Sequence, residues 1–163
     1  MKKILSALIA TLALGCVGTA TAAANVPMRI VASGGANYTI TDDEVWGHQS
    51  YTWNLGGTTF GTLGAGNGVF NYKYVRCFGG EVRGELFIDG FRWSGEDAAT
   101  ITVHIDLYEG ASCSTTDFDG QSEFYTFTIK PGQARSLYIG ALNTDEDAWE
   151  GAWLMATIKA LPM

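Results

Sequence analysis

The sequence predicts an all-β fold, namely an antiparallel β-sandwich of jelly-roll or immunoglobulin-like type with about seven to nine strands. Apolar and polar residues alternate along most of the chain from Met28 onwards, as in strands with one buried face. Glycine, proline, asparagine and aspartate interrupt this alternation about every ten to fifteen residues, as turns between short strands do. No segment sustains the 3.6-residue period of an amphipathic helix, so a βαβ fold is not expected.

The clearest predicted strand is Ile101 to Tyr108, where isoleucine, valine and leucine alternate with threonine, histidine, aspartate and tyrosine. One face of this strand is therefore expected to lie in the core and the other in solvent. Rougher versions of the same pattern predict strands at Met28 to Ala32, Glu44 to Leu55, Val69 to Cys77, Val82 to Asp89, Glu123 to Lys130, Arg135 to Leu142 and Trp149 to Leu161. Turns are expected at Ser33-Gly34-Gly35, Gly79-Gly80, Asp89-Gly90, Asp119-Gly120 and Pro131-Gly132.

Two segments between these strands have a different character. The glycine-rich stretch Gly56 to Gly68 is predicted to be a flexible loop or a distorted edge strand. It lacks the Gly-Lys-Ser/Thr ending and the following helix of a phosphate-binding loop. A short helical turn is expected near Asp145 to Trp149, where Asn143 or Thr144 would cap it.

Residues 1–24 have the features of a secretory signal peptide. Lys2 and Lys3 precede an uncharged, mostly apolar run, and Ala20 to Ala24 supplies small residues at the spacing that a signal peptidase reads. The apolar run is shorter than the roughly 20 residues that cross a bilayer, so no transmembrane segment is expected. Residues 25–163 are predicted to form one domain, because no repeat and no Pro/Ser-rich linker divides them. The sequence therefore predicts a secreted or periplasmic protein.

The chain is acidic, with a formal net charge of −7. Removal of residues 1–24, which contain two lysines and no acid, would change this to −7 − 2 = −9. Such a field repels nucleic-acid phosphates and anionic membranes, so nucleic acid is not expected as a partner. Basic proteins and cations are favoured, although a high net charge also serves solubility.

The three cysteines have different expected roles. Cys16 lies in the signal region, and lipidation there is an alternative in which the protein stays anchored to a membrane. Cys77 and Cys113 are predicted to form a disulfide, because an exported protein reaches an oxidising compartment. Metal ligation by these two thiolates is the competing interpretation, but no Cys-x-x-Cys or Cys-x-x-His spacing supports it.

The sequence offers little for covalent catalysis, so the protein is predicted not to be an enzyme. The mature part has only two histidines, His48 and His104, and no Gly-x-Ser-x-Gly motif. His104 and Asp106 share a strand face and could form a hydrogen bond, but an exposed polar face explains the same pattern. Carboxylate pairs could hydrolyse glycosides, yet spacing selects no pair among the acids near aromatic residues, which are Glu81, Glu85, Glu96 and Asp97.

Tryptophan is the most suggestive residue type, because all five tryptophans lie after the predicted signal peptide. Exposed tryptophan and tyrosine stack on the apolar C–H faces of sugars, and neighbouring polar groups bind the hydroxyls. Phe91 and Trp93, between Gly90 and Gly95, are predicted to form an exposed aromatic loop. The candidate ligand-binding residues are Trp93, Phe91, Trp46 and Trp149, although core packing would also account for any one of these tryptophans.

Two acidic turns could hold calcium, the only cofactor that the sequence indicates. Asp117 and Asp119, followed by Gly120 and Glu123, share the Asp-x-Asp-Gly core of many calcium loops but lack the full EF-hand ligand series. Solvated turns are the default interpretation of these acids and of those between Asn143 and Asp147, so no cofactor is expected unless calcium binds there with a structural role.

Together these features predict a non-catalytic, secreted or periplasmic module that binds glycan through exposed aromatic residues. A structural or protein-interaction module, such as a matrix, appendage or inhibitor component with an extracellular protein partner, is the alternative. A small carboxylate-dependent hydrolase is a third possibility.

Overall fold

The computed structural model describes residues 26–44, 47–144 and 150–163, except for the side chains of residues 43 and 44. These ranges contain strands and no helix. The predicted signal peptide with Cys16, the candidates Trp46 and Trp149, and the helical turn predicted near Asp145 lie outside the described residues. The strands are β1 (Met28–Ala32), β2 (Asn37–Glu44), β3 (Gly47–Asn54), β4 (Thr59–Leu63), β5 (Gly68–Phe78), β6 (Val82–Arg92), β7 (Ala99–Tyr108), β8 (Phe118–Gln121), β9 (Tyr125–Ile129), β10 (Ala134–Leu142) and β11 (Gly151–Pro162).

The strands form two antiparallel sheets that pack face to face, which confirms the predicted β-sandwich. Sheet A has the order β3-β2-β11-β1-β4, and β10 pairs with the opposite edge of β11. Sheet B has the order β5-β6-β7-β8, and β9 pairs with β7. The first strand β1 pairs with the last strand β11. This pairing ties the two ends of the described chain together within sheet A.

The described ranges hold eleven strands, so the prediction of seven to nine was too low. Both β1 and β2 pair with β11, and a tight turn at Ser33 to Gly35 separates them. The glycine-rich stretch contains the short edge strand β4, in agreement with the second of its two expected forms. Strand β8 is only four residues long, and its pairing with β7 shifts register between Leu107 and Tyr108. Short strands of this kind leave too little alternation to be recognised in the sequence.

The core lies between the two sheets and follows the predicted alternation. In β7 every second residue from Ala99 to Leu107 is fully buried, while the residues between them face outwards. Strand β11 behaves in the same way, with Leu154 and Ile158 buried and Met155 exposed. Burial of such side chains supplies the main driving force for this fold, at about 25 cal/mol per Å² of apolar surface.

Cys77 and Cys113 form a disulfide, as predicted. Cys77 lies near the end of β5, and Cys113 lies in the loop between β7 and β8. Arg83 on β6 also holds this loop, because its Nη1 donates hydrogen bonds to the carbonyl oxygens of Cys113 at 2.8 Å and Thr115 at 2.6 Å. The disulfide fits an extracellular or periplasmic location. Within the described ranges, no helix has the length and hydrophobicity needed to span a bilayer.

Candidate functional site

The outer face of sheet A carries side chains in rows that cross four strands. Residues directly opposite one another in β3, β2, β11 and β10 point to the same side of the sheet. The middle row consists of Thr52, Thr39, Trp153 and Gly140. The row on one side consists of Asn54, Asn37, Met155 and Tyr138, and the row on the other side of Ser50, Thr41, Gly151 and Leu142.

A groove of about 450 Å³ lies over these rows. Tyr138 and Met155 stand at one side of it and are 70% and 53% exposed, so both side chains project well above the sheet. Its lining residues are Asn37, Thr39, Thr41, Thr52, Tyr138, Trp153 and Met155. The groove therefore combines two aromatic rings and a thioether with hydroxyl and amide groups.

Trp153 lies flat on the sheet because two of its neighbours are glycines. A Cβ atom at Gly140 would lie 2.7 Å from Nε1 of Trp153, and one at Gly151 would lie 3.0 Å from Cη2. The first distance is too short for a real side chain and the second is tighter than most real contacts, so the indole occupies space that side chains at these two positions would need. The pyrrole end lies over Gly140 on β10 and the six-membered ring lies over Gly151 on β11. One face of the indole thus rests on the sheet, and the other is directed towards the groove.

The polar groups of the groove are hydroxyls and an amide on rigid strands. Thr39 and Thr52 face each other across β2 and β3, and their hydroxyl oxygens are 2.8 Å apart in a hydrogen bond. A hydroxyl in such a pair still has acceptor capacity for a ligand. None of the lining residues carries a charge.

A second hollow of about 280 Å³ shares Tyr138 with the groove. Phe124 and Tyr125, between β8 and β10 in the chain, line it together with Tyr138. Phe124 is 57% exposed. Tyr138 lines both depressions.

Two of the predicted ligand-binding residues, Phe91 and Trp93, are exposed as expected. Phe91 lies in strand β6 of sheet B and not in a loop, because it pairs with Val69 on β5, and Trp93 directly follows the strand. Their ring centroids are 5.9 Å apart in an edge-to-face arrangement. Neither residue lines the groove on sheet A. The structure therefore brings together a different aromatic set, centred on Trp153 and Tyr138, which the sequence did not single out.

The predicted calcium ligands are already engaged in local contacts or are exposed. The carboxylate of Asp119 accepts a hydrogen bond from the backbone N–H of Glu109, and the backbone N–H of Asp117 donates to Oγ1 of Thr115 at 3.1 Å. Glu123 follows β8 and is exposed. In the part of the chain that the structure describes, no group of three or more His, Cys, Asp or Glu side chains is arranged to hold a metal ion. Calcium binding by these residues remains a prediction.

His104 on sheet B lies between two aromatic rings. Its ring centroid is 4.6 Å from that of Phe87 and 4.4 Å from that of Phe124. Its Nε2 lies 3.9 Å from Oδ1 of Asp106, too far for a hydrogen bond, and that oxygen accepts one from Nε2 of Gln121 at 2.6 Å. The arrangement gives His104 a packing role and leaves it without the orienting carboxylate of a catalytic dyad.

The acids that the sequence offered for glycoside hydrolysis are paired with cations where the structure shows their contacts. Glu85 forms ion pairs with Lys73 at 2.6 Å and Arg83 at 3.1 Å. Asp97 pairs with Lys130 at 2.8 Å, and this bond lowers the pKa of Asp97 below its usual value. These two acids therefore take part in ion pairs with cations of the same surface.

A pair of carboxyl groups lies next to the start of β11, where Glu150 is buried and Glu109 is half-buried. Nδ2 of Asn143 donates to Oε2 of Glu109 at 2.6 Å and lies 3.4 Å from Oε1 of Glu150. Burial, the charge of Glu109 and a hydrogen bond with Glu109 raise the pKa of Glu150 from 4.5 to about 8, and Asp42 adds to this effect. Sequence reasoning missed the pair, because Glu109 and Glu150 are far apart in the chain and neither belongs to a motif.

Comparison of the chain with protein-family models, with curated proteins and with solved structures gives no match. The function is therefore argued from the chemistry of the surface.

Proposed function

We propose that this protein is a secreted or periplasmic carbohydrate-binding module and that the groove on sheet A is its binding site. The observation that carries the proposal is the position of Trp153, whose indole lies flat on Gly140 and Gly151 inside a groove lined by hydroxyl and amide groups. A flat aromatic ring with one accessible face stacks on the apolar C–H face of a sugar.

The polar lining complements the rest of a sugar. Thr39, Thr52 and Asn37 present hydroxyl and amide groups beside the indole, and these can exchange hydrogen bonds with sugar hydroxyls. All of them are held on paired strands of one sheet. Binding to a preformed surface costs less ordering entropy than binding to a flexible loop, so even a small stacking surface can yield useful affinity.

The composition of the groove favours binding over turnover. Glycoside hydrolysis needs two carboxyl groups on either side of the scissile bond. Among the residues that the structure describes, none that lines the groove is an acid or a histidine. A sugar held there would meet stacking surfaces and neutral hydrogen-bonding groups, which is the chemistry of a lectin-like module.

Replacement of Trp153 by alanine tests this proposal. We expect soluble polysaccharides to bind the wild-type protein and the Trp153→Ala variant to lose at least about tenfold in affinity, because tryptophan anchors commonly carry 2 kcal/mol or more of a binding energy. Isothermal titration calorimetry against a panel of polysaccharides gives the affinities, and thermal unfolding verifies that the variant is folded.

Trp93→Ala is the matched control, because it removes an exposed tryptophan from the other sheet. It should bind like the wild type. Loss of binding in Trp93→Ala with retention in Trp153→Ala would place the site at Phe91 and Trp93 instead. Absence of binding to every polysaccharide would refute the proposal as a whole.

A further inference from the structure

We infer that the ligand of this groove is an uncharged glycan chain that lies across the strands of sheet A. One sugar unit stacks on Trp153, and neighbouring units extend over Thr39 and Thr52 on one side and towards β10 on the other. The inference rests on the proposed function and adds the class of ligand and its direction.

The direction of the glycan chain follows from how far the side chains in the three rows project from sheet A. In the middle row, Thr52 and Thr39 are short and Gly140 has no side chain. This row therefore forms a low floor of the groove that runs from β3 to β10. Met155 and Tyr138, in the next row, project from the surface and block a path along β11. A chain that follows the floor therefore crosses the strands.

The length of this floor suits a short oligosaccharide. Neighbouring strands lie about 4.8 Å apart, so a row across four strands covers three spacings, or roughly 14 Å. Thr52 and Gly140 mark the two ends of the row, and Trp153 lies between them. A pyranose unit is about as long as one strand spacing, so several successive units fit within the row.

The residues that line the groove indicate that its ligand is uncharged. All seven lining residues are neutral, so a carboxylate or sulfate on the ligand would lose hydration without gaining a cation as partner. Lys159 is the nearest described cation along β11 on this face, and it lies four residues beyond Met155. The net charge of −7 also repels an anionic chain.

The described cations that contact aromatic rings lie on sheet B and not in the groove on sheet A. Lys73 is 5.1 Å from the ring centroid of Phe87, and the guanidinium of Arg83 is 4.3 Å from that of Tyr108. These four residues belong to sheet B. Glu85, which pairs with both cations, further reduces their attraction for an anionic ligand. The guanidinium of Arg76, also on sheet B, lies 4.0 Å from the ring centroid of Tyr74 and 6.0 Å from that of Trp53, which is on the core-facing side of β3 and not in the groove. Uncharged sugars are thus the class that the groove on sheet A selects.

Matched neutral and anionic ligands test the ligand class. The probes are neutral gluco-, xylo-, manno-, galacto- and chito-hexasaccharides, together with oligogalacturonide and its fully methyl-esterified form, titrated at physiological ionic strength. We expect at least one neutral probe to bind at least about tenfold more tightly than the oligogalacturonide, a difference of about 1.4 kcal/mol, and Trp153→Ala to lose this binding.

The outcomes separate the inference from the proposed function. Binding of oligogalacturonide as tight as that of any neutral probe, still lost in Trp153→Ala, overturns the inference and leaves the carbohydrate-binding function standing. No binding by any probe overturns both.

Two glutamate variants test the direction. Thr52 lies in the middle row, and Ser136 lies on the same face but along β10, opposite Thr157. Each hydroxyl forms one hydrogen bond of 2.8 Å to its neighbour on the next strand, so the two positions are closely matched. Thr52→Glu should weaken binding of the best neutral hexasaccharide about tenfold, and Ser136→Glu should leave it nearly unchanged. The opposite result would mean that the chain follows the strands.

Discussion

Loss of the Cys77–Cys113 disulfide is expected to lower the free energy of unfolding by about 3 to 4 kcal/mol. The two cysteines are 36 positions apart, and opening this loop gives the unfolded chain much more conformational freedom. This is a large fraction of the 5 to 15 kcal/mol that typically stabilises a small protein. Cys77 is half-buried and Cys113 is exposed, so a reductant can reach the bond in the folded protein.

Urea unfolding with and without dithiothreitol, followed by tryptophan fluorescence, measures the effect. The double variant Cys77→Ala/Cys113→Ala should match the reduced wild type and should no longer respond to dithiothreitol. The hydrogen bonds from Arg83 to the loop carbonyls persist in this variant, so the native fold should survive with a lower midpoint. Equal midpoints for the oxidised and reduced proteins would contradict the prediction.

Much of the fold follows directly from alternation in the sequence. In β7, one residue in two is buried, and the antiparallel pairing with β6 places similar residues on the same face. Alternation of this quality depends only on which residues avoid water, so the sequence is sufficient to recognise it. The disulfide was predictable because only two cysteines lie outside the predicted signal peptide, and they leave one intramolecular pairing.

The strands that the sequence did not predict lack a clear alternation of apolar and polar residues. Strand β2 alternates Tyr38 and Ile40 with Asn37, Thr39 and Thr41, but its C-terminal end is acidic and resembles a loop. Its assignment as a strand depends on pairing with β3, which follows it in the chain, and with β11, which is more than a hundred residues away. Tertiary pairing of this kind overrides local preference.

The candidate groove was only partly predictable. The alternation of β11 places Trp153 and Met155 on the face opposite Leu154, and this is what the structure shows. The flat position of the indole, however, depends on Gly140, which belongs to another strand and becomes its neighbour only through the β10–β11 register. A sequence shows the tryptophan but not the glycine beneath it, so the sequence alone favours Phe91 and Trp93 as the candidate site.

The free energy of unfolding is expected to fall as the pH rises from about 4.5 to about 8. The reason is that folding raises the pKa of Glu150 from 4.5 to about 8. Within this window the folded protein holds a proton that the unfolded chain releases, so each rise in pH favours unfolding. The contribution is fully present below 4.5 and is lost as the pH passes the folded-state pKa. Each pKa unit corresponds to about 1.4 kcal/mol, so the total effect is a few kcal/mol.

Glu150→Gln should remove this part of the pH dependence and should be more stable than the wild type at pH near 8. Glutamine keeps the shape of the side chain and an oxygen that can face Nδ2 of Asn143, but it places no second charge beside Glu109. Urea midpoints for both proteins across this pH range give the comparison. All other titratable groups are the same in both proteins, so the difference between the two curves isolates the Glu109–Glu150 pair. Parallel curves for the two proteins would show that the Glu109–Glu150 pair does not retain a proton in the folded state.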